Sequence, residues 1–238
     1  MSAREAPFAG PPYEARPWLA LPYGVVRAVA IPEAPPPPEV LAGLLPEEQV
    51  FAASLPPLQL GTWVAGRLAL AAALAELGAP RTALLATPRG APRVPAGFVG
   101  SVSHKRRVAA ALAARDEGAG LGFDVEELAP HRHDISQRIL TAGELAAVDT
   151  LGAEDRWREV LVRFSIKEAI YKAVDPFVGR YVGFKEAVVD PGPRNESEGV
   201  RQAAARLAME KGEGPFAVEA AWAEAEGYVV SAARVRLA

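Results

Sequence analysis

The sequence predicts an α+β protein made of two α/β subdomains, residues 1–117 and 118–238, and three observations lead there. Half of the 238 residues are hydrophobic and 23% are charged, which is enough apolar surface for a substantial core. Each half then runs through the same order of elements: strand, short helix, long helix, loop, strands. Between them, Asp116-Glu-Gly-Ala-Gly120 reads as a turn or linker. No sequence repeat relates the halves. Their shared order alone suggests two subdomains packed face to face, with a ligand in the cleft between them.

In the first half, Tyr23 to Ile31 alternates as a strand bounded by Pro22 and Pro32. The Pro35–Pro38 run is a stiff polyproline connector. A short helix follows from Pro46 to Ser54, with Glu47 and Glu48 in its first turn. A longer one runs from about Leu58 to Leu77, closed by Gly78 and Pro80, with Arg67 among Ala, Leu and Val. Residues 79–98 are loop and short strand carrying Arg89 and Arg93, whose planar forks suit phosphate. Phe98 to His104 is extended and Val108 to Ala114 is a strand. Small residues at Gly100, Ser101 and Ser103 let the backbone approach an anion, while His104 and Lys105 supply directed donors.

In the second half, Leu121 to Glu127 alternates strictly. Leu121, Phe123 and Val125 face one side; Asp124 and Glu126 face the other. Those two carboxylates start about 7 Å apart and can converge on one hard cation, although a solvated edge strand gives the same pattern. His131-Arg132-His133 is a loop, followed by helices from about Asp134 or Ser136 to Leu140 and from Thr141 to Val148, the latter opened by a Thr141/Glu144 capping box. The run from Arg156 to Val174 is a helix that Asp175-Pro176 should end. On its wheel Glu168 falls within the stripe of Trp157, Val160, Leu161, Phe164 and Tyr171, and Ser165, Glu168 and Lys172 share one ridge. A Glu to Lys pair at i,i+4 would explain this ridge as helix support, yet a carboxylate inside an apolar stripe calls for a metal or ligand. Gly183 to Val189 reads as a strand, Pro191 to Gly199 as an exposed loop, and Phe216–Trp222 with Gly227–Leu237 as a closing hairpin.

Composition narrows the chemistry. A net charge of −3 argues against broad nucleic-acid binding, leaving Lys105-Arg106-Arg107 as a local anion site. With no cysteine, disulfides, thiol nucleophiles and thiolate metal sites are excluded, so any metal is held by oxygen or imidazole. The start, Met1 to Pro12, lacks a signal-peptide pattern. No apolar run reads as long enough to span a membrane, Leu68 to Leu77 being bracketed by Arg67 and Glu76, so a cytoplasmic protein without a membrane partner is expected.

Three segments in this order and spacing, Gly100-Ser-Val-Ser-His104, Gly122-Phe-Asp124-Val-Glu126 and Phe164-Ser-Ile-Lys167-Glu168-Ala-Ile-Tyr-Lys172, resemble the signature set of the 4'-phosphopantetheinyl transferases, surfactin- and enterobactin-synthetase type. The resemblance runs from about Trp63 to Val189 and includes Arg89-Gly-Ala-Pro and Thr141-Ala-Gly-Glu144-Leu. It implies a pseudo-twofold, two-subdomain monomer that moves the phosphopantetheine arm of coenzyme A onto a serine of an acyl or peptidyl carrier protein, releasing adenosine 3',5'-bisphosphate. Residues 1–117 would then be the coenzyme A 3'-phosphate side and 118–238 the metal and catalytic side. Asp124, Glu126 and Glu168 would hold Mg²⁺, or Mn²⁺ in its place, and Glu168 or a water on the cation would take the serine proton. Lys172 and Lys167 would neutralise charge on the diphosphate. Arg67, Ser103 and His104 would grip the 3'-phosphate, with Arg89 as a further contact.

The physical demands of that reaction match these residue types independently. Phosphoryl transfer asks a protein to position an in-line attack and stabilise charge, for which carboxylate-held Mg²⁺ suffices. Coenzyme A carries separated phosphates, so two cationic sites are needed. Many relatives carry tryptophan where this chain has Val94, and His131, His133, the polyproline run and the 191–199 loop inherit no role. The competing expectations are a Mg²⁺-dependent nucleotide or coenzyme A pyrophosphate hydrolase and a non-catalytic coenzyme A binding module.

Overall fold

The computed structural model describes residues 13–130, 133–193 and 199–238. They form two compact units: residues up to Ala20 with Gly24–Asp116, and Leu21–Tyr23 with Glu117–Ala238. Both are α+β.

The first unit is a four-stranded antiparallel sheet in the order β1-β2-β4-β3, formed by Ala15–Pro17, Val25–Ala30, Val108–Arg115 and Phe98–Lys105 respectively. Three helices, α1 (Pro38–Ala42), α2 (Pro46–Ala53) and α3 (Pro57–Glu76), separate β2 from β3. Five of the eight residues of β4 are alanine, so α3 can lie close on the face made by Ala109, Ala111 and Ala113, burying Val64, Ala65, Ala69, Leu70 and Ala73. Two glycines tighten that seam: a Cβ at Gly100 would overlap the Leu70 side chain, and one at Gly66 would press on Val102. Even-numbered residues of β3 therefore face α3. The polyproline run is more than a connector, because Pro38 opens α1 at a position where its missing N–H is harmless. The reading that no apolar run is long enough also needs correction. Helix α3 meets the length and composition of a membrane span, and here much of it is buried in the core of this unit.

The second unit is a five-stranded antiparallel sheet in the order β5-β9-β8-β7-β6. Its strands are β5 (Gly120–Glu127), β6 (Ala187–Asp190), β7 (Arg201–Leu207), β8 (Phe216–Ala225) and β9 (Tyr228–Leu237); its helices are α4 (Ser136–Ile139), α5 (Ala142–Val148) and α6 (Ala153–Val178). Helix α6 covers one sheet face, packing Leu161, Ile166, Ala169, Ile170 and Ala173 with Trp222, Val229, Ala233 and Val235. It continues past Asp175-Pro176, where the sequence was expected to stop it. Pro176 lies in the last turn, where its missing N–H removes one bond, and the helix closes at Gly179 in the left-handed region, φ 60°, whose N–H bonds Asp175 O at 2.9 Å. The expected strand from Gly183 is a single 3-10 turn, Phe184–Glu186, before β6 begins. Strand β7 went unread because Arg-Gln-Ala-Ala-Ala-Arg-Leu lacks the β-branched residues that announce a strand. Residues 131–132 and 194–198, within the loops that carry His131-Arg132-His133 and Pro191–Gly199, lie outside the described residues.

Candidate functional site

The most chemically loaded part of the second unit is the seam between β5 and α6. Gly120, Gly122, Asp124 and Glu126 alternate onto the face of β5 that meets the helix. A Cβ at Gly120 would overlap the Ala173 carbonyl oxygen, and one at Gly122 that of Ala169. Only glycine permits this approach of helix backbone to strand. The next residue on that face, Asp124, then meets the helix through its carboxylate. Lys172 Nζ donates to Asp124 Oδ1 at 2.8 Å and to the Phe123 carbonyl at 2.8 Å; Ser165 Oγ donates to Asp124 Oδ2 at 3.1 Å. Asp124 is 3% exposed and Glu126 5%. Glu168 occupies the ridge between Ser165 and Lys172, one turn from each. It is half-buried rather than enclosed, a correction to its expected place: the buried stripe is Val162, Ser165, Ile166, Ala169 and Ala173, and Glu168 borders it with Phe164 and Tyr171.

Three carboxylates on one seam offer oxygen ligands of the kind a hard divalent cation takes. Two of them are buried, which an ionised carboxylate tolerates only beside positive charge. Among the described residues, though, no three carboxylate or imidazole side chains are gathered as a ready cage. Asp124 and Glu126 stand on β5 and Glu168 on α6, with Lys172 and Ser165 at the Asp124 oxygens.

Lys167 departs from expectation more sharply. Instead of reaching a ligand, its ammonium is buried and donates to Glu144 Oε2 at 2.7 Å, Ile139 O at 2.8 Å and Phe184 O at 3.1 Å, which uses all three of its hydrogens. Glu144 also accepts from the N–H groups of Thr141 at 2.7 Å and Val189 at 2.8 Å, so the residue of the expected capping box doubles as the anchor of a buried ion pair. Burial pushes its carboxyl up, but the Lys167 ammonium and the backbone donors outweigh that and hold it below the ordinary range.

The anion-binding residues expected in the first unit do not form one cradle. Arg67, on α3, is buried with its guanidinium 5.0 Å from the centre of the Trp63 ring, and its Nε has no hydrogen-bond acceptor among the described residues. Burial pushes it down to about 10, against the opposing charge of Glu48, so it stays a cation at neutral pH. His104 leaves the exposed end of β3 on the α3 side of the sheet, whereas buried Ser103 leaves on the opposite face. Ser103 therefore leaves the sheet on the face away from α3 and Arg67. Arg89 is exposed on its loop.

Two features escaped sequence reasoning. One is the pair of glycines that admits α6 to β5, legible only in hindsight from their spacing of two on the Asp124 face. The other is the segment after α6, where the Tyr181 ring lies 5.9 Å from Tyr171 and the Phe184 ring 5.6 Å from Phe164, beside Glu168.

Comparison with known proteins gives consistent matches. Residues 47–114 match the family described as the 4'-phosphopantetheinyl transferase N-terminal domain, and residues 120–233 match the 4'-phosphopantetheinyl transferase superfamily. The chain is 33% identical over 221 residues to 4'-phosphopantetheinyl transferase Svp of Streptomyces mobaraensis, covering 90% of this chain and 87% of that one. It is 31% identical over 176 residues to 4'-phosphopantetheinyl transferase Npt of Nocardia iowensis, covering 67% and 75%. Among solved structures it is similar to a holo-(acyl-carrier-protein) synthase from Bacillus anthracis in complex with CoA (3',5'-ADP), at 23% identity and a TM-score of 0.38, covering 50% of this chain and 96% of that one.

Proposed function

The chain belongs to the 4'-phosphopantetheinyl transferase superfamily, and from that premise we propose that it transfers the 4'-phosphopantetheine group of coenzyme A to a serine of an apo carrier protein. Carriers of polyketide, nonribosomal peptide or fatty acid assembly are the fitting acceptors, and the cytoplasm, where such carriers work, is the proposed location. One observation carries the assignment of its chemistry: Asp124 of β5 is held by Ser165 and Lys172, the two residues that flank Glu168 on α6. That contact joins a strand carboxylate to a helix ammonium, and Glu168 lies one turn of α6 from both residues that make it.

Asp124, Glu126 and Glu168 would hold Mg²⁺, which supplies charge neutralisation on the coenzyme A diphosphate when bound. Lys172 is well suited to share that task. It is partly exposed, and among the described residues two of its three hydrogens are engaged, so the third can turn to a phosphate oxygen. Glu168, half-buried between Ser165 and Lys172, would accept the serine proton as the serine oxygen bonds to phosphorus. The bond that breaks is from phosphorus to the oxygen of adenosine 3',5'-bisphosphate, which leaves. The 3'-phosphate of coenzyme A falls to donors of the first unit, the Arg67 and Arg89 guanidinium groups with His104, while Lys167 is a structural residue.

Mass spectrometry tests the reading directly. Incubation with coenzyme A, Mg²⁺ and an apo carrier should add one phosphopantetheine to the carrier, and Glu168→Gln should slow that by at least roughly 10²-fold while the fold survives. Coenzyme A cleavage without any carrier product would point to a hydrolase instead. Arg67→Ala should raise the KM for coenzyme A and leave that for dephospho-coenzyme A nearly unchanged; equal effects would remove Arg67 from the 3'-phosphate.

A further inference from the structure

Glu168 has two flanks on α6. On one, Ser165 and Lys172 hold Asp124. On the other, Phe164 and Tyr171 carry the segment 179–186, through the Phe164–Phe184 and Tyr171–Tyr181 ring contacts and the Lys167 bond to Phe184 O. Little of this segment is in regular structure, yet one side chain fastens it. Arg180 bonds Glu213 through Nε at 2.6 Å and Nη2 at 3.0 Å, and bonds Glu186 through Nη1 at 2.9 Å and Nη2 at 2.7 Å. Glu186 in turn accepts from Gly183 N at 2.8 Å and Glu210 N at 2.9 Å. A single guanidinium thereby ties both ends of the segment to the turn between β7 and β8. The residue next to it, Tyr181, is 64% exposed. An aromatic ring whose backbone is already fixed gives up little freedom when a partner covers it, which is what makes tyrosines strong contact residues.

In-line transfer decides which partner that is. The attacking and leaving oxygens lie on opposite sides of the phosphorus. With Asp124 and Lys172 serving the diphosphate on one flank of Glu168, the acceptor hydroxyl arrives over the other, the flank that carries Tyr181. We propose that Tyr181 is a contact for the carrier protein and that Arg180 is a positioning residue acting through it. The inference rests on the reading of Glu168 as the base for a carrier serine.

The test measures kinetic constants for both substrates in Tyr181→Ala, Arg180→Lys and the double variant. Tyr181→Ala should raise the carrier KM about tenfold, equivalent to about 1.4 kcal/mol, with the coenzyme A KM within about twofold of wild type. Arg180→Lys keeps the charge but loses the two-sided fork, and should also raise the carrier KM. In the Tyr181→Ala background it should add nothing to the carrier KM, a non-additivity that general destabilisation would not produce. An unchanged carrier KM in Tyr181→Ala, a rise confined to coenzyme A, or a full Arg180→Lys effect in the double variant would each overturn the proposal. A wild-type chain that transfers nothing would instead overturn the reading of function on which it rests.

Discussion

Lys167 and Lys172 sit five residues apart on α6, each within 2.8 Å of a carboxylate, yet they are built for different purposes. The Lys167 side chain is 0% exposed and that of Lys172 26%. Lys167 is saturated by Glu144 and two carbonyls, and Glu144 is saturated by Lys167, Thr141 and Val189. Lys172 keeps a hydrogen in reserve beside Asp124. A closed set of bonds makes scaffold, because any new partner must displace an old one in a dry interior. A set that is one bond short, at the edge of solvent, can take a ligand.

The sharpest way to break this contrast is to cut the sealed pair. Lys167→Met leaves the Glu144 carboxylate buried without its countercharge, and urea unfolding should show a loss of about 3–5 kcal/mol. Transfer by whatever remains folded should keep its coenzyme A KM. Normal stability with a raised coenzyme A KM would return Lys167 to the binding role that its place beside Glu168 first suggested.

Lys172→Met should do the opposite. Removing a cation that meets charge developing in the reaction should lower kcat/KM roughly 10²- to 10³-fold, about 2.7–4 kcal/mol. Asp124 is buried, but Lys172 is 26% exposed and Ser165 still donates to the carboxylate, so the unfolding midpoint should fall by less than in Lys167→Met. A large stability loss with proportionate activity would make this pair scaffold as well, and the contrast would vanish.

How far the chain itself foretells this division follows from the range of the interactions. Asp124 and Glu126 on one face of β5, and Ser165, Glu168 and Lys172 on one ridge of α6, are periodicity, and periodicity is local. The Thr141/Glu144 capping box is local too, and it forms. That the same Glu144 would also take Lys167, 23 residues later, is not local, so nothing near Lys167 marks it as different from Lys172. The opposite faces of Ser103 and Arg67 likewise depend on which side of the sheet α3 chooses, settled by Gly66 meeting Val102 and Gly100 meeting Leu70. The Arg180 clamp joins residues as far apart as 33 positions, beyond any motif.

Acid offers the mildest test of the sealed pair, because it removes a charge without removing an atom. The Glu144 carboxyl is pushed up by burial and, more strongly, held down by Lys167 and the backbone donors, so its folded value lies below the ordinary 4.5. A group depressed by folding binds fewer protons folded than unfolded. Its stabilisation is therefore complete above 4.5 and is lost as the pH falls through that value and below it. Glu144→Gln, which cannot titrate, should start less stable at neutral pH and then lose less on acidification than the wild type. The difference between the two Tm curves should narrow steadily in acid. Parallel curves would mean that the carboxyl takes up protons alike in the folded and the unfolded chain, so that Lys167 and the backbone donors do not depress it.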